Sequence, residues 1–375
     1  MKLFLTLIGA IGIMALLTNL LSEKKTYTNS ETLYQPDFAN TLDVISAFVF
    51  APKIDTTPDS PIPVHPLDRN KLMANQADQV YRLGHSSVLM QLEQKWILTD
   101  PVLSERASPI SWFGPKRFHQ SPIAIEDIPQ LDMIIISHDH YDHLDKSTVL
   151  SLADQTKYFI TPLKVGDRLI KWGIAPHKVV QLDWWQSIHL NGIELVATPA
   201  QHFSGRSLWD RDQTLWASWV IKGQAKRIFF SGDSGYFSGF KTIGERYGPF
   251  DLTLMEAGAY HELWPVVHMT PEQSVQAHLD LKGKLMMPIH NATFELSLHP
   301  WFEPLERISQ LTQQLHIPLL APQFGEQVLL DQPVLANQWW LPTQHGLDIS
   351  QADSSQPATI QAVNLKATGS TEISW

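Results

Sequence analysis

Six consecutive residues near the middle of the chain, His138, Asp139, His140, Tyr141, Asp142 and His143, restrict the fold more than any other feature. They follow Met133 to Ile136, a fully apolar run that reads as a buried β-strand ending, at Ser137, in a polar turn. Histidines two apart cannot share a helix face, so His138 and His140 require a turn or extended loop at the strand end, with Asp142 and His143 coming round behind. Two imidazoles there can grip one metal ion while the aspartate and the last histidine reach a second. Each ion still lacks ligands, so later parts of the chain must bring more nitrogen or oxygen donors to the same place.

Later strands offer them. His202 follows a strand that ends at Thr198, Pro199 and Ala200; Asp233 sits within Ser231, Gly232, Asp233, Ser234 and Gly235 after the strand Arg227 to Phe230; His290 follows Leu285 to Ile289. Taken singly, each reads as readily as a capping or core residue. Their common position, just beyond a hydrophobic strand, argues for convergence, and the glycines beside Asp233 permit a tight turn next to a metal. The 375 residues contain no cysteine, which excludes disulfides, thiolate ligands, a cysteine nucleophile and a lipoprotein-type anchor. A donor set of nitrogen and oxygen suits zinc and also admits manganese or iron.

A formal net charge of -10 and the absence of a basic run argue against a nucleic-acid partner, whose backbone demands clustered cations. The start of the chain, Met1 and Lys2 followed by the apolar run Leu3 to Leu21, is long enough to span a bilayer, and residues 1–22 are expected to be a membrane anchor or signal segment. That places the protein at the bacterial cell envelope, with the periplasmic side favoured. Residues 23–79 read as a strap or linker without regular structure, proline-rich from Ala51 to Pro66. Residues 80–335 carry the strand pattern, and 336–375 form a polar extension expected to be poorly ordered towards its end. Within the domain Val80 to Leu83, Val88 to Leu92, Trp96 to Leu98 and Tyr158 to Thr161 read as strands, and Asn191-Gly192 marks a hairpin. Leu163 to Trp172 and Pro304 to Leu315 read as helices, and Thr270 to Gln273 opens another with a capping box. Groups of strands with helices after them predict an α+β fold, a four-layer αββα sandwich.

In order, the candidate ligands resemble the motifs of the metallo-β-lactamase superfamily: HxHxDH, a lone histidine, a lone aspartate and a final histidine. The resemblance implies that His138, His140 and His202 hold one metal, that Asp142, His143 and His290 hold the other, and that Asp233 bridges them. A finer match, carried by Arg106 to Pro109, Gly114 to Phe118, Ile136 to Asp145, Pro199 to Arg206, Phe229 to Tyr236, Gly248 to Asp251, Gly258 to Tyr260 and His268 to Glu272, is similar to the N-acylphosphatidylethanolamine-hydrolysing phospholipase D branch. It runs from about Pro63 to Val328. Asn291 stands where the mammalian enzymes carry tryptophan, and Ala292, Thr293 and Phe294 resemble a bacterial subgroup. What the resemblance implies is a two-zinc phosphodiesterase that attacks the phosphorus of N-acyl phosphatidylethanolamine, or a related phospholipid, with metal-held hydroxide, at a membrane and as a homodimer. A lactonase or other small-ester hydrolase of the same fold, and a non-catalytic envelope protein, stand as alternatives.

Other residues are candidates for the reaction or the substrate. Asp142 and Asp233 are expected to act in catalysis as well as in binding metal. His268 stands two residues before the capped helix start, where an anion is favoured, and can serve phosphate or the leaving group; the plain alternative is a histidine that fixes the loop. Gln201 and Arg206, beside His202, are candidates for substrate oxygens, with a surface ion pair the alternative for Arg206. Of the 13 tryptophans, Trp112, Trp184, Trp185, Trp209 and Trp264 fall in predicted loops, and Trp185 is expected to meet acyl chains or a membrane surface; Trp216 and Trp219 read as core.

Overall fold

Apolar residues in this chain are arranged so that most strands are covered on both faces, which is why their sequences read as nearly continuous hydrophobic runs. The computed structural model describes residues 26–34, 38–207, 209–335 and 338–341. Strands β1 (Gln79–Gly84), β2 (Ser87–Leu92), β3 (Lys95–Thr99), β4 (Leu131–Ile135), β5 (Thr156–Pro162) and β6 (Val179–Leu182) lie in one sheet. Strands β7 (Ser187–Leu190), β8 (Ile193–Thr198), β9 (Ser218–Lys222), β10 (Arg227–Phe230), β11 (Leu252–Glu256) and β12 (Met286–Ile289) form the second, and β13 (Gln327–Leu329) returns to the edge of the first. The strand orders are β13-β1-β2-β3-β4-β5-β6 and β12-β11-β10-β9-β8-β7. Both sheets are mixed, parallel from β3 to β6 and from β10 to β12.

Strand alternation sorts the side chains into three layers. Val88, Met90, Met133 and Ile135 of the first sheet meet Leu195, Trp219, Ile228 and Leu254 of the second in the core between the sheets. Leu89, Leu98, Ile134 and Phe159 point the other way, onto Val149, Val165 and Leu169. On the outside of the second sheet Val196, Val220, Phe229 and Met255 are covered by Phe240, Ile243, Val275 and Ile308. The result is the expected four-layer αββα sandwich.

The helices are α1 (Phe38–Phe50), α2 (Arg69–Met73), α3 (Lys146–Ser151), α4 (Val165–Trp172), α5 (Gly239–Tyr247), α6 (Pro271–Asp280) and α7 (Glu303–Gln314). The start of α6 is as read from the sequence: the Thr270 hydroxyl accepts from the Gln273 amide, the Gln273 side chain accepts from the Thr270 amide, and Pro271 fills the first helical position. Asn191 and Gly192 both adopt positive φ, as the tight β7-β8 hairpin demands. One expectation is corrected: helices α1 and α2 both lie in the segment that reads as irregular. Trp216 is buried just before β9.

Among the described residues no helix is long and apolar enough to cross a membrane. The run Leu3 to Leu21 lies outside them, as does the segment Pro342–Trp375.

Candidate metal centre

Seven strands deliver polar residues to one rim of the sandwich. His85 follows β1, Asp100 follows β3, the segment 138–143 follows β4, His202 follows β8, Asp233 follows β10, Glu256 closes β11 and His290 follows β12. Chain direction explains the convergence, since these strands all present their carboxyl ends at this edge, where ligands bind in sheets of this kind. The backbone turns sharply to expose the side chains: His85, Asp100 and His290 have φ of 51, 33 and 64°. Non-glycine residues seldom adopt such angles, and they cluster at functional sites. Gly232, at φ 55°, lies so close to the facing loop that a Cβ there would stand 2.5 Å from Ser137 Cβ. Any larger residue would push Asp233 away from the β4 loop.

The donors gather in two groups. His138, His140 and His202 turn one nitrogen each to a common point, with His138 Nε2 and His202 Nε2 at 2.8 and 3.3 Å from His140 Nδ1. Asp142, His143 and His290 form the second group, in which Asp142 Oδ2 is 3.4 Å from His143 Nε2 and 3.5 Å from His290 Nε2. Asp233 lies between, 3.1 Å from His143 Nε2 and 3.0 Å from His290 Nε2 on one side, and 3.9 and 3.7 Å from His138 and His202 Nε2 on the other. All seven sequence-nominated residues are thus brought together, and His85 joins the second group with its Nε2 3.0 Å from Asp142 Oδ2.

Hydrogen bonds behind the rings decide what they present. Asp100 accepts from the Ser137 amide and hydroxyl and from His143 Nδ1, the last at 2.6 Å. The Ser137 oxygen, its proton given to Asp100, accepts from His138 Nδ1 at 2.9 Å. His202 Nδ1 donates to the Val267 carbonyl at 2.9 Å. Each of these rings therefore carries its proton outward and turns the Nε2 lone pair into the rim, the tautomer that a metal ligand needs.

In the first group His138 and His202 Nε2 meet His140 Nδ1, whereas several rim atoms around the second group have no hydrogen-bond partner among the described residues. His143 Nε2, Asp233 Oδ1 and both nitrogens of His290 are buried without a hydrogen bond among the described residues. Orphaned groups of this kind are costly unless a cation completes them. Electrostatics point the same way. Burial opposes charge on His290 and His143, but Asp233 and Asp142 outweigh it, lifting His290 to about 9 and His143 well above its ordinary value. Burial, with neighbouring histidines adding to it, drives His138 well below. The rim thus holds a carboxylate field that calls for positive charge beside imidazoles that resist protonation, and two divalent cations satisfy both.

The cavity above the rim has a volume of about 250 Å³. His140, Asp142, Asp233, His268 and His290 line its floor, and Tyr34, Val44, Phe48, Phe203, Trp264 and Leu296 make its apolar walls. Tyr34, Val44 and Phe48 belong to the N-terminal strap. It is pinned to the centre by Asn29, whose side chain donates to the His202 carbonyl and accepts from the His202 amide at 2.8 and 3.0 Å.

Several substrate-contact expectations are not met. Arg206 directs Nη1 at the carbonyls of Asp139, His140 and Leu144 and stacks on Tyr141, so it braces the ligand loop from behind. The Gln201 side chain donates to the carbonyl of Thr32 and so holds the strap. Trp185 packs under Arg246, 4.3 Å from its guanidinium, and does not line the cavity. Trp112 and Trp209 are exposed, Trp184 donates to the Trp216 carbonyl, and Trp264 alone of the five loop tryptophans lines the cavity. His268 does line it, its ring 5.1 Å from that of His202. Four residues of the site were not nominated from sequence: Asn29, His85, Asp100 and Glu256. The last three each follow or close an apolar strand, the same signal that nominated His202, Asp233 and His290.

A family model described as a beta-lactamase superfamily domain matches residues 95–291. The chain is 44% identical over 261 residues to an uncharacterized protein of Mycobacterium tuberculosis, covering 68% of this chain and 70% of that one. It is 36% identical over 267 residues to the N-acyl-phosphatidylethanolamine-hydrolyzing phospholipase D 1 of Caenorhabditis elegans, covering 68% of this chain and 75% of that one. Among solved structures, a metallo hydrolase from the archaeon Ignicoccus hospitalis shares the fold with a TM-score of 0.52 at 22% identity, over 67% of this chain and 97% of its own. Similarity along most of the domain and a common strand arrangement lead to one conclusion: the chain belongs to the metallo-β-lactamase superfamily, as one of its metal-dependent hydrolases.

Proposed function

We propose that this hydrolase is a phosphodiesterase of the phospholipase D type, acting on N-acyl phosphatidylethanolamine or a related phospholipid at a membrane surface. The observation that carries the reading is the two-sided cavity, with imidazoles and carboxylates on its floor and Phe48, Trp264, Val44 and Leu296 on its walls. A substrate that fits must join an anionic reacting group to an apolar chain, and a phospholipid does. The similarity to a lipid phosphodiesterase of Caenorhabditis elegans supports the same choice.

Two divalent ions, zinc in our reading, would be held by His138, His140, His202, Asp142, His143, His290 and Asp233, and would supply Lewis acidity and make hydroxide available near neutral pH. Hydrolysis then forms a bond from the water oxygen to phosphorus, breaks the bond from phosphorus to the alcohol, and moves one proton to that alcohol. His268, on the cavity floor, is the side chain we assign to this proton. Tyr34, Val44 and Phe48 hold an acyl segment beside the reacting phosphate and keep water from it. Exposed Val49 and Phe50 on α1, together with the apolar run Leu3 to Leu21, favour work at a membrane of the cell envelope, and a homodimer is the assembly we expect.

The test is parallel turnover, by zinc-loaded protein with metal content measured, of an N-acyl phosphatidylethanolamine in mixed micelles, a soluble aryl phosphodiester, a lactone and a chromogenic β-lactam. Release of N-acylethanolamine and phosphatidate is expected. Lactone or lactam turnover with no phosphodiester cleavage would replace this reading by that of a small-ester hydrolase.

A further inference from the structure

Glu256 is a fully buried carboxylate at the carboxyl end of β11, just outside both metal-ligand groups. Its two oxygens have different tasks. Oε1 is 2.5 Å from His268 Nδ1, while Oε2 accepts from the backbone amides of Ser234 and Met269, each at 3.3 Å. Ser234 follows the ligand Asp233, and Met269 follows His268, so one carboxylate ties the β10 loop to the loop that carries the histidine. The ring of His268 lines the cavity between those of His202 and His290, at 5.1 and 5.3 Å from them. Its Nε2 has no protein partner among the described residues.

Two backbone N–H donors on Oε2 favour the carboxylate form of Glu256, and a carboxylate can only accept, so the bond at Oε1 is made by the Nδ1 proton of His268. Nδ1 then donates to Glu256, and in the neutral ring Nε2 is left with a lone pair. We propose that Glu256 is a positioning residue that fixes this tautomer, so that His268 offers the cavity an acceptor at Nε2, takes up there the proton that the attacking water gives up and passes it to the departing oxygen. The inference leans on the phosphodiesterase reading only for the identity of the departing group; the tautomer itself is independent of any substrate.

The environment of Oε2 makes the proposal testable by one substitution. In Glu256→Gln the amide oxygen must take the Oε2 position, because an NH2 group there would face two backbone N–H donors. The NH2 then faces His268 Nδ1, which has to become an acceptor, and the ring proton moves to Nε2. The full-length protein, labelled with ¹⁵N-histidine, reports this through long-range ¹H–¹⁵N correlations, the His268 signals being assigned by their loss in His268→Gln. The wild type is expected to show Nδ1 protonated and Nε2 bare, with and without zinc, and Glu256→Gln the reverse. Zinc stoichiometry is expected to be unchanged in the variant, while cleavage of a diester with an alkyl leaving group falls about tenfold or more and cleavage of one with an acidic phenol leaving group falls much less. A wild-type ring with its proton on Nε2 would overturn the proposal, and that measurement needs no variant to fold. Equal losses on both diesters would overturn the proton role. If neither diester is cleaved while the tautomer is as expected, the phosphodiesterase reading fails and the positioning by Glu256 stands.

Discussion

Asp100 shows what a single residue outside the ligand set contributes. Its carboxylate is fully buried and accepts hydrogen bonds from Ser137 and His143, and through Ser137 it also sets His138, so it orients one ligand in each metal group. Asp100→Ala is expected to weaken metal binding by about 10- to 100-fold, as loss of such a hydrogen-bond partner does, which competition against a chromophoric chelator would measure. Unchanged affinity would show that the loop holds the rings without it. Asp233 faces both groups, so Asp233→Asn is expected to cost turnover by roughly a hundredfold or more and to lower bound metal per chain, with the fold kept; activity assay, elemental analysis and circular dichroism check the three parts. The residues that the sequence misassigned fail for a common reason. Arg206, Gln201 and Trp185 were nominated for their chemistry and their nearness in sequence to a ligand or a rim loop, but the direction of a side chain is set by what packs on the other side of the backbone. For Arg206 that is three carbonyls of the ligand loop, and for Gln201 it is the strap.

Elements with clear boundary chemistry were legible, and those held only by tertiary contact were not. Helix α6 announces itself through Thr270, Pro271 and Gln273, whereas α5 has no side-chain cap and is defined by the burial of Phe240 and Ile243 against the second sheet. Helix α6 also carries a pH response. His278 is buried and, among the described residues, has only Thr253 Oγ1 as a side-chain partner, at 2.7 Å, and burial lowers it to about 4. A histidine depressed in the folded state contributes stability above its unfolded value near 6.5, and loses it as pH falls towards 4, because the unfolded chain binds the proton first. The loss approaches about 1.4 kcal/mol per pH unit in that window. Replacing His278 by Gln is expected to flatten this part of the stability curve in urea titrations at pH 6.5 and 4.5; identical slopes for both proteins would discount it. Helix α1 has no periodic signal strong enough to stand out, yet it supplies Val44 and Phe48 to the cavity, and Phe48 stacks on Trp264 with ring centroids 5.7 Å apart. Phe48→Ala is expected to raise KM for a long-chain lipid diester severalfold, with little change for a soluble aryl diester, since only the former reaches that wall. Equal effects on both would separate the strap from substrate binding.

At the scale of the whole domain, the metal centre is a cross-link. His138, His140, Asp142 and His143 come from the first sheet, and His202, Asp233 and His290 come from the second, so bound cations tie the halves of the sandwich together. Ligands that bind only the folded state stabilise it by mass action, about 4 kcal/mol at a free concentration a thousand times the dissociation constant. Chelation should therefore lower Tm by several degrees, and zinc should restore it, in a scan of full-length protein. A Tm indifferent to chelator and zinc would mean that the rim does not bind metal.

Local patterns in the chain were enough to mark most of the strands, the sandwich they build and the seven polar residues that meet at its rim. Runs of apolar residues mark the buried strands, and a buried strand can release the chain only at the rim, so the polar groups just beyond its end are delivered there. Three-dimensional packing was needed to settle which nitrogen each ring presents, that Glu256 and Asp100 stand behind the histidines, and that a strap from the start of the chain walls the cavity. Those outcomes depend on groups between 12 and 173 residues apart meeting within hydrogen-bond distance, and no local pattern encodes a distance between chain segments.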